Sequence, residues 1–202
     1  IMDHVSDSFE WHILTFGETH ISIPLPIILY SKSEKKLHVF MSSRFHHGHA
    51  AYEGFMIAQE GINKGSIVPV DDHGHEIEGA ALPIDLSITK TAAALLISLL
   101  LMLWIFISIG TKYKRNPNSA PKGLQSLMEP IILFVRDDIA LPSIGKKRYE
   151  KFMPFLLSVF FFILINNLLG VFPIPPGGAN VTGNIAITAV LAIATFVITT
   201  LS

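Results

Sequence analysis

The sequence predicts an all-α integral membrane protein with a small extramembrane segment at its N-terminus. Half of the 202 residues are hydrophobic, and the mean hydropathy is +0.49. Residues 91–110 run for twenty positions without a charge, and about 20 apolar residues are needed to cross the hydrocarbon core of a bilayer. All nine histidines precede this stretch, within residues 1–75. Polar and membrane-spanning parts are therefore separated along the chain.

The first element is a polar, extracytoplasmic segment, residues 1–83. Two stretches in it, His20–Ile28 and Lys36–Met41, are rich in alternating and β-branched residues and predict a β-hairpin. Pro24 and Pro26 cannot donate to a strand ladder, so we expect them to confine the first strand to a sheet edge. We interpret the segment as a small element and not as an independent domain.

The membrane domain is predicted to occupy residues 84–202, with transmembrane helices at about 84–110, 152–171 and 184–202. The third has about 18 residues, which is marginal for a span. Apolar residues in 124–141 recur at the spacing of an amphipathic helix. Because its other face is charged, we expect that helix to lie in the cytoplasmic membrane interface; a soluble helix packed on a core is the alternative.

The distribution of charge predicts the orientation. Residues 111–151 carry nine Lys/Arg and four acids, residues 172–183 carry no charge, and residues 1–83 carry five Lys/Arg and eleven acids. The positive-inside rule places the basic connection in the cytoplasm and the N-terminal segment in the periplasm. The protein is therefore expected to be multi-pass in a bacterial inner membrane, in contact with lipid. The net charge of −1 indicates no nucleic-acid partner.

Four asparagines are candidate ion-pathway residues. Asn166 and Asn167 lie inside the second predicted helix, where an amide is costly unless it finds a partner or faces a polar cavity. Two interpretations of these amides stay open: they line an aqueous path, or they form a hydrogen bond between packed helices. Asn180 and Asn184 lie near the start of the third helix, where capping is the alternative reading.

The histidine-rich segment suggests a second function, a membrane-anchored periplasmic metal-binding module. Imidazole is a common ligand of zinc and nickel, and the candidate ligands are His46, His47, His49, His73 and His75. Their spacing fits no defined site, and the chain has no cysteine. A fragment of an unrelated secondary transporter is a third possibility, but it would need an inverted repeat of the spans. No catalytic residue and no cofactor are predicted, because no nucleophile–base pair and no phosphate-binding loop occurs.

Four features follow one another from about Thr111 onward. They are a basic loop, an amphipathic helix with Gln125 and Glu129, a span with an Asn-Leu-Leu-Gly-x-x-Pro pattern starting at Asn167, and a turn with Asn-x-Thr at Asn180. In this order the sequence resembles subunit a of the Fo sector of F-type ATP synthase. The N-terminal segment is similar to the long extension of Bacteroidetes-type members.

The resemblance implies a proton-translocating stator subunit of the ATP synthase membrane sector. Such a subunit is not an enzyme by itself; it forms part of two half-channels beside the c-subunit ring and is held by the b subunits of the peripheral stalk. By the same resemblance, Asn167 matches an asparagine near the entry half-channel, and Asn180 and Asn184 match polar positions at the start of the next helix. Gly170 stands where some members have an acid.

The essential arginine of that family lies on a later helix. The arginines after the first span, Arg115, Arg136 and Arg148, belong to the basic connection and cannot take its role. The resemblance therefore implies that the sequence lacks the C-terminal helices of the family.

Overall fold

A computed structural model describes most of the chain, namely residues 7–16, 19–71, 73–77, 79–115, 120–172 and 177–201. In 12–16 and 19–21 only the backbone is described. The chain forms two compact units. Of the described residues, the N-terminal unit comprises those up to Ala94, and the helical unit comprises those from Leu95 onward.

The N-terminal unit contains more sheet than the one hairpin that the sequence predicts. Among the described residues it has seven short strands: β1 (Glu10–Phe16), β2 (Thr19–Pro24), β3 (Pro26–Ser31), β4 (Lys36–Met41), β5 (Phe55–Ile57), β6 (Ile67–Pro69) and β7 (Ile84–Asp85). They form three antiparallel sheets, with strand orders β1-β2, β4-β3-β7 and β5-β6. The chain is mostly helical, but an all-α description does not hold for this unit.

The single strand expected at His20–Ile28 is wrong, because the chain changes sheets at Leu25. There the backbone N–H donates to the carbonyl of Phe9 (3.3 Å) and to Oγ of Ser42 (3.0 Å), so β2 ends and β3 begins. Pro26 is also not on an edge strand. It is the first residue of the central strand β3, opposite Met41, at a strand end where Pro is tolerated.

The core of the N-terminal unit lies on one face of β3 and β4. Ile27 and Leu29 are completely buried there, together with Phe45 from a 3-10 segment at Ser42–Gly48. Phe9, Phe55 and Ile67 complete this cluster. Burial of these side chains against one another is the main source of stability of such a small sheet.

The helical part of the chain has five helices within the described residues. They are α1 (Lys90–Arg115), α2 (Leu124–Phe134), α3 (Leu141–Ile144), α4 (Tyr149–Val171) and α5 (Ile185–Leu201). In the part of the chain that the structure describes, α1 and α4 are the two helices long and apolar enough to cross a membrane, and α5 is a shorter apolar helix of 17 residues. Two of the three predicted spans thus meet the length criterion.

The first helix begins six residues later than predicted. Residues 84–88 are extended instead, because the backbone N–H of Leu86 donates to the carbonyl of Ile28 (2.9 Å). The helix then starts after Thr89, whose Oγ1 accepts the N–H of Ala92 (3.3 Å) as a cap. It continues to Arg115, beyond the predicted end at Gly110, since no helix breaker precedes Pro117. Pro117 itself lies outside the described residues.

The amphipathic helix predicted at 124–141 is interrupted. A π-helical stretch, Val135–Ala140, joins α2 to α3, so the helical path reaches Ile144. Within this stretch the Arg136 guanidinium donates to both carboxylate oxygens of Asp137 (2.8 and 3.0 Å) and lowers the pKa of that carboxyl below its usual value.

Helix α4 begins at Tyr149, three residues before the predicted start. Pro154 therefore lies inside the helix and not in its first turn, and it leaves one backbone carbonyl of the preceding turn without its helical partner. Helix α4 contributes Phe161 and Ile165 to the core of the helical unit, and α1 contributes Ile105 and Ile109.

Candidate functional site

Asn166 and Asn167 are neighbours in α4, but their surroundings differ. Asn166 is 3% exposed, and its Nδ2 donates to the carbonyl of Phe162, one turn earlier (2.8 Å). Its Oδ1 is buried and has no hydrogen-bond partner in the described part of the chain. An unpaired buried acceptor is costly, so this oxygen is suited to receive a hydrogen bond from water or from another group.

Asn167 is exposed, and it connects α4 to the turn before α5. Its Oδ1 accepts a hydrogen bond from the hydroxyl of Thr182 (2.7 Å). The turn also reaches α4 through the N–H of Gly178, which donates to the carbonyl of Leu169 (3.4 Å). The amide of Asn167 is therefore held by a polar partner next to the start of α5. The predicted turn residues 173–176 lie outside the described residues.

The other two asparagines organise the entry into α5. Oδ1 of Asn180 accepts the N–H of Gly183 (3.0 Å), and Oδ1 of Asn184 accepts the N–H of Ala186 (2.9 Å). The second contact is a helix N-cap. A Cβ on Gly183 would lie 2.2 Å from Nδ2 of Asn180, so a side chain at this position would displace the Asn180 amide. The structure thus brings Asn167 close to the Asn180–Asn184 turn through Thr182.

The first group of candidate metal ligands is not assembled into a site. His46 and His47 have left-handed backbone angles, with φ of 45° and 59°. Nδ1 of His47 lies 2.7 Å from Oε2 of Glu10. His49 closes the 3-10 segment through its backbone N–H. In these contacts the imidazole rings of His46, His47 and His49 do not converge on a common point.

The second group is a turn around Asp71. Oδ1 of Asp71 accepts the backbone N–H groups of His73 (2.9 Å) and His75 (2.8 Å). The pKa of the Asp71 carboxyl is lowered below its usual value, mainly by the hydrogen bond from the backbone N–H of His75. Across the described residues, no three His, Cys, Asp or Glu side chains form a group that could hold a metal ion. The metal-binding alternative has no geometric support there.

His38, a buried histidine that the sequence analysis did not single out, has a carboxylate beside each of its ring nitrogens. His38 on β4 is 4% exposed, and its Nδ1 lies 2.5 Å from Oε2 of Glu53. Its Nε2 lies 3.2 Å from Oε2 of Glu34. The two carboxylates lie at opposite nitrogens of the ring, so the three groups do not converge on one point as metal ligands do. Alternation along β4 is the signal that could have found it, since His38 and Phe40 share the inward face.

The backbone at Glu53 is strained. Glu53 and Gly54 form a two-residue turn with φ of 51° and 77°, closed by paired hydrogen bonds between Tyr52 and Phe55. A non-glycine residue in this region costs about 1–2 kcal/mol. The hydrogen bond between the Glu53 carboxylate and His38 offsets this free-energy cost.

We expect Glu53→Ala to destabilise the N-terminal unit by about 2–3 kcal/mol, because it leaves a buried imidazole nitrogen without its acceptor. Glu53→Gly removes the same acceptor but relieves the backbone strain, so its loss should be smaller by about 1 kcal/mol. Trp11 is 3% exposed, and its fluorescence during denaturation in a Trp104→Phe background measures both values. Equal unfolding midpoints for both variants and the parent would contradict the prediction.

Residues 92–202 match the family model described as "ATP synthase A chain". This is more than half of the chain. The chain therefore belongs to the ATP synthase A chain family. All four candidate asparagines lie inside the matched region, whereas every histidine lies before it.

Curated relatives agree with the ATP synthase A chain assignment. The chain is 46% identical over 116 residues to ATP synthase subunit a of Chloroherpeton thalassium, covering 57% of this chain and 34% of that protein. It is 44% identical over 119 residues to ATP synthase subunit a 2 of Chlorobaculum tepidum, covering 58% and 33%. It is 44% identical over 142 residues to ATP synthase subunit a of Myxococcus xanthus, covering 68% and 45%. The chain thus spans about a third to a half of the length of these relatives.

The N-terminal unit of this ATP synthase A chain member has a separate match. Residues 1–86 match a family described as "Domain of unknown function (DUF8433)". No solved structure matches the chain.

Proposed function

We propose that the chain is part of a proton-translocating stator subunit of the ATP synthase membrane sector. It would contribute to a half-channel beside the c-subunit ring and would be held by the b subunits of the peripheral stalk. It carries out no catalysis by itself; proton flow past it is coupled to ATP synthesis in other subunits. The match of residues 92–202 to the ATP synthase A chain family carries this proposal.

The polar groups of α4 support an aqueous path at one end of that helix. Asn166 and Asn167 lie about 6–7.5 Å from the end of α4 at Val171, at a rise of about 1.5 Å per residue. Asn166 offers an unpaired buried carbonyl oxygen, and Asn167 an exposed amide. Polar side chains at membrane depth typically line ion paths or pair with each other. We therefore assign both to the entry half-channel, with Asn180 and Asn184 shaping the turn at its mouth.

The proposed location is the bacterial inner membrane, with several passes. Here α1, α4 and the shorter α5 are the spans, and α2 lies in the cytoplasmic interface. The nine Lys/Arg of residues 111–151 support a cytoplasmic position for that connection, with the acidic N-terminal unit on the periplasmic side. Asn166 and Asn167, near the far end of α4, lie toward the periplasmic side.

Asn167→Leu in the complete subunit should slow ATP-driven proton pumping about tenfold, since losing one polar group from a low-dielectric path costs about 1–2 kcal/mol. Pumping is measured as acridine-dye quenching in inverted membrane vesicles. Co-purification of the c-ring and the ATPase head reports assembly. Unchanged pumping in an assembled complex would mean that Asn167 only packs.

Thr182→Val is the matched control. It removes the hydrogen bond to Oδ1 of Asn167 but leaves the asparagine amide in place. If the Asn167 amide is part of the proton path, the Thr182→Val variant retains most of the pumping. If both variants lose pumping equally, the Thr182 bond holds the turn and Asn167 has no role in the path.

A further inference from the structure

The three-stranded sheet β4-β3-β7 has a second apolar face, opposite its core. Tyr30 is paired with Leu37 on one side and with Ile84 on the other, and Ile28 is paired with Val39. Beyond β7 the pairing continues, since the backbone N–H groups of Leu86 and Ile88 donate to the carbonyls of Ile28 and Pro26. Period-two alternation collects nine side chains on this outer face: Leu37, Val39, Met41, Pro26, Ile28, Tyr30, Ile84, Leu86 and Ile88.

Six of these nine side chains are exposed, and Pro26, Ile28 and Ile88 are half-buried. Val39 is 62% exposed, Leu86 is 60% exposed and Leu37 is 54% exposed. An antiparallel sheet with one face on a core normally presents polar residues on the other. A contiguous apolar patch of this kind is typical of an interaction surface. The outer face therefore needs an apolar environment.

The chain keeps the outer face close to the start of α1. Strand β7 ends at Asp85 and α1 begins at Lys90, so at most about 18 Å of extended chain separates them. The backbone N–H of Thr91 donates to Oδ1 of Asp7 (3.0 Å), and that of Lys90 donates to the carbonyl of Ser8 (2.8 Å), so this end of α1 is part of the N-terminal unit. Because α1 is long and apolar enough to cross a membrane, a bilayer surface lies within reach of the sheet.

The charges around the outer face fit a lipid surface. The turn between β3 and β4 carries two exposed lysines, Lys32 and Lys35. The one acid in this turn, Glu34, lies 3.2 Å from the ring of His38. Tyr30 adds an aromatic ring with a polar tip, a side chain enriched at membrane–water interfaces. Apolar residues flanked by lysines are the pattern of interfacial membrane binding.

We infer that the outer face of the β4-β3-β7 sheet docks on the lipid interface of the bilayer that α1 enters. The apolar side chains enter the boundary between headgroups and acyl chains, and the two lysines of the turn contact anionic headgroups. The inference rests on α1 being a span and is independent of proton translocation. It gives the N-terminal unit a function of its own, which is to fix the entry of α1 at the membrane surface.

Site-directed spin labelling tests this inference, and the chain suits it because it contains no cysteine. Val39→Cys carries the nitroxide on the outer face, and Leu37→Cys provides a second position on the same face. Ile62→Cys is the matched control, because Ile62 is 105% exposed and lies away from this sheet in a loop. Each labelled chain is reconstituted into vesicles of phosphatidylcholine with a quarter phosphatidylglycerol.

Collisions with oxygen and with a water-soluble nickel chelate report where the label lies. We expect the labels at 37 and 39 to be relaxed more by oxygen, at a depth of about 5–10 Å, and the label at 62 to be relaxed more by nickel. Nickel accessibility at 37 and 39 equal to that at 62 would overturn the inference. Immobile labels that neither reagent reaches would also overturn it, because they would show that a protein partner covers the face.

Discussion

Phe161→Ala should destabilise the helical unit by about 3–5 kcal/mol, the loss typical of a fully buried phenylalanine. The Phe161 side chain is completely buried in the cluster that α1 and α4 share. Its ring lies edge-on to Phe106 of α1 at 4.8 Å and to Phe160 at 5.5 Å. In a bilayer, helices associate through close packing and not through exclusion of water, so a void between α1 and α4 removes the contact that holds them.

The measurement is an SDS titration of the chain in mixed micelles. Trp104 lies on α1 and is one of only two tryptophans, so a Trp11→Phe background makes its fluorescence specific for the helical unit. Leu168→Ala is the control, because Leu168 is on the same helix and is 54% exposed. The prediction fails if the two alanine variants unfold at the same SDS fraction.

The spans were predictable because apolar length is a local property. Residues 91–110 lie entirely within α1, and 152–171 lie within α4. The start of α1 was not predictable in this way, because residues 84–88 are held extended by Ile28 and Pro26, almost sixty residues earlier in the chain. The local sequence shows that Ile84 and Leu86 are apolar, but it carries no information about the distant strand with which they pair.

The candidate site shows the same division between local and distant information. The sequence singled out Asn167 because an amide inside a span is unusual, and it left open what the amide contacts. Its partner Thr182 is fifteen residues away and reaches it only through the turn before α5. The caps at Asn180 and Asn184 are local and follow from residue type.

The metal-binding alternative has no support in the described structure, because clustering in sequence is not convergence in space. His46 and His47 are adjacent, yet only His47 reaches Glu10, and no described group of three ligands forms. The isolated His38 attracted no notice, although among the histidines whose side chains are described it is buried and lies beside two carboxylates. Burial on a strand depends on the partner strand, and the break at Leu25 changed the pairing that the sequence suggested.

Phe45→Ala should have the largest effect on the N-terminal unit, about 3–5 kcal/mol. Phe45 is completely buried against β3, β5 and β6, with its ring 5.2 Å from that of Phe40. It also anchors the segment in which His46 and His47 adopt left-handed angles, each at a cost of about 1–2 kcal/mol. Small domains are stable by only about 5–15 kcal/mol, so this loss should leave the unit close to unfolding.

Trp11 fluorescence in the Trp104→Phe background measures the loss by urea titration, and amide exchange of β3 and β4 provides an independent measure. Ile62→Ala is the control, because that side chain is fully exposed and its removal creates no cavity. A Phe45→Ala midpoint that matches Ile62→Ala would mean that the cluster around Ile27 and Leu29 is stable without this ring. The predicted outcome instead includes faster exchange in β3 and β4 with α4 unchanged, because the two compact units have separate cores.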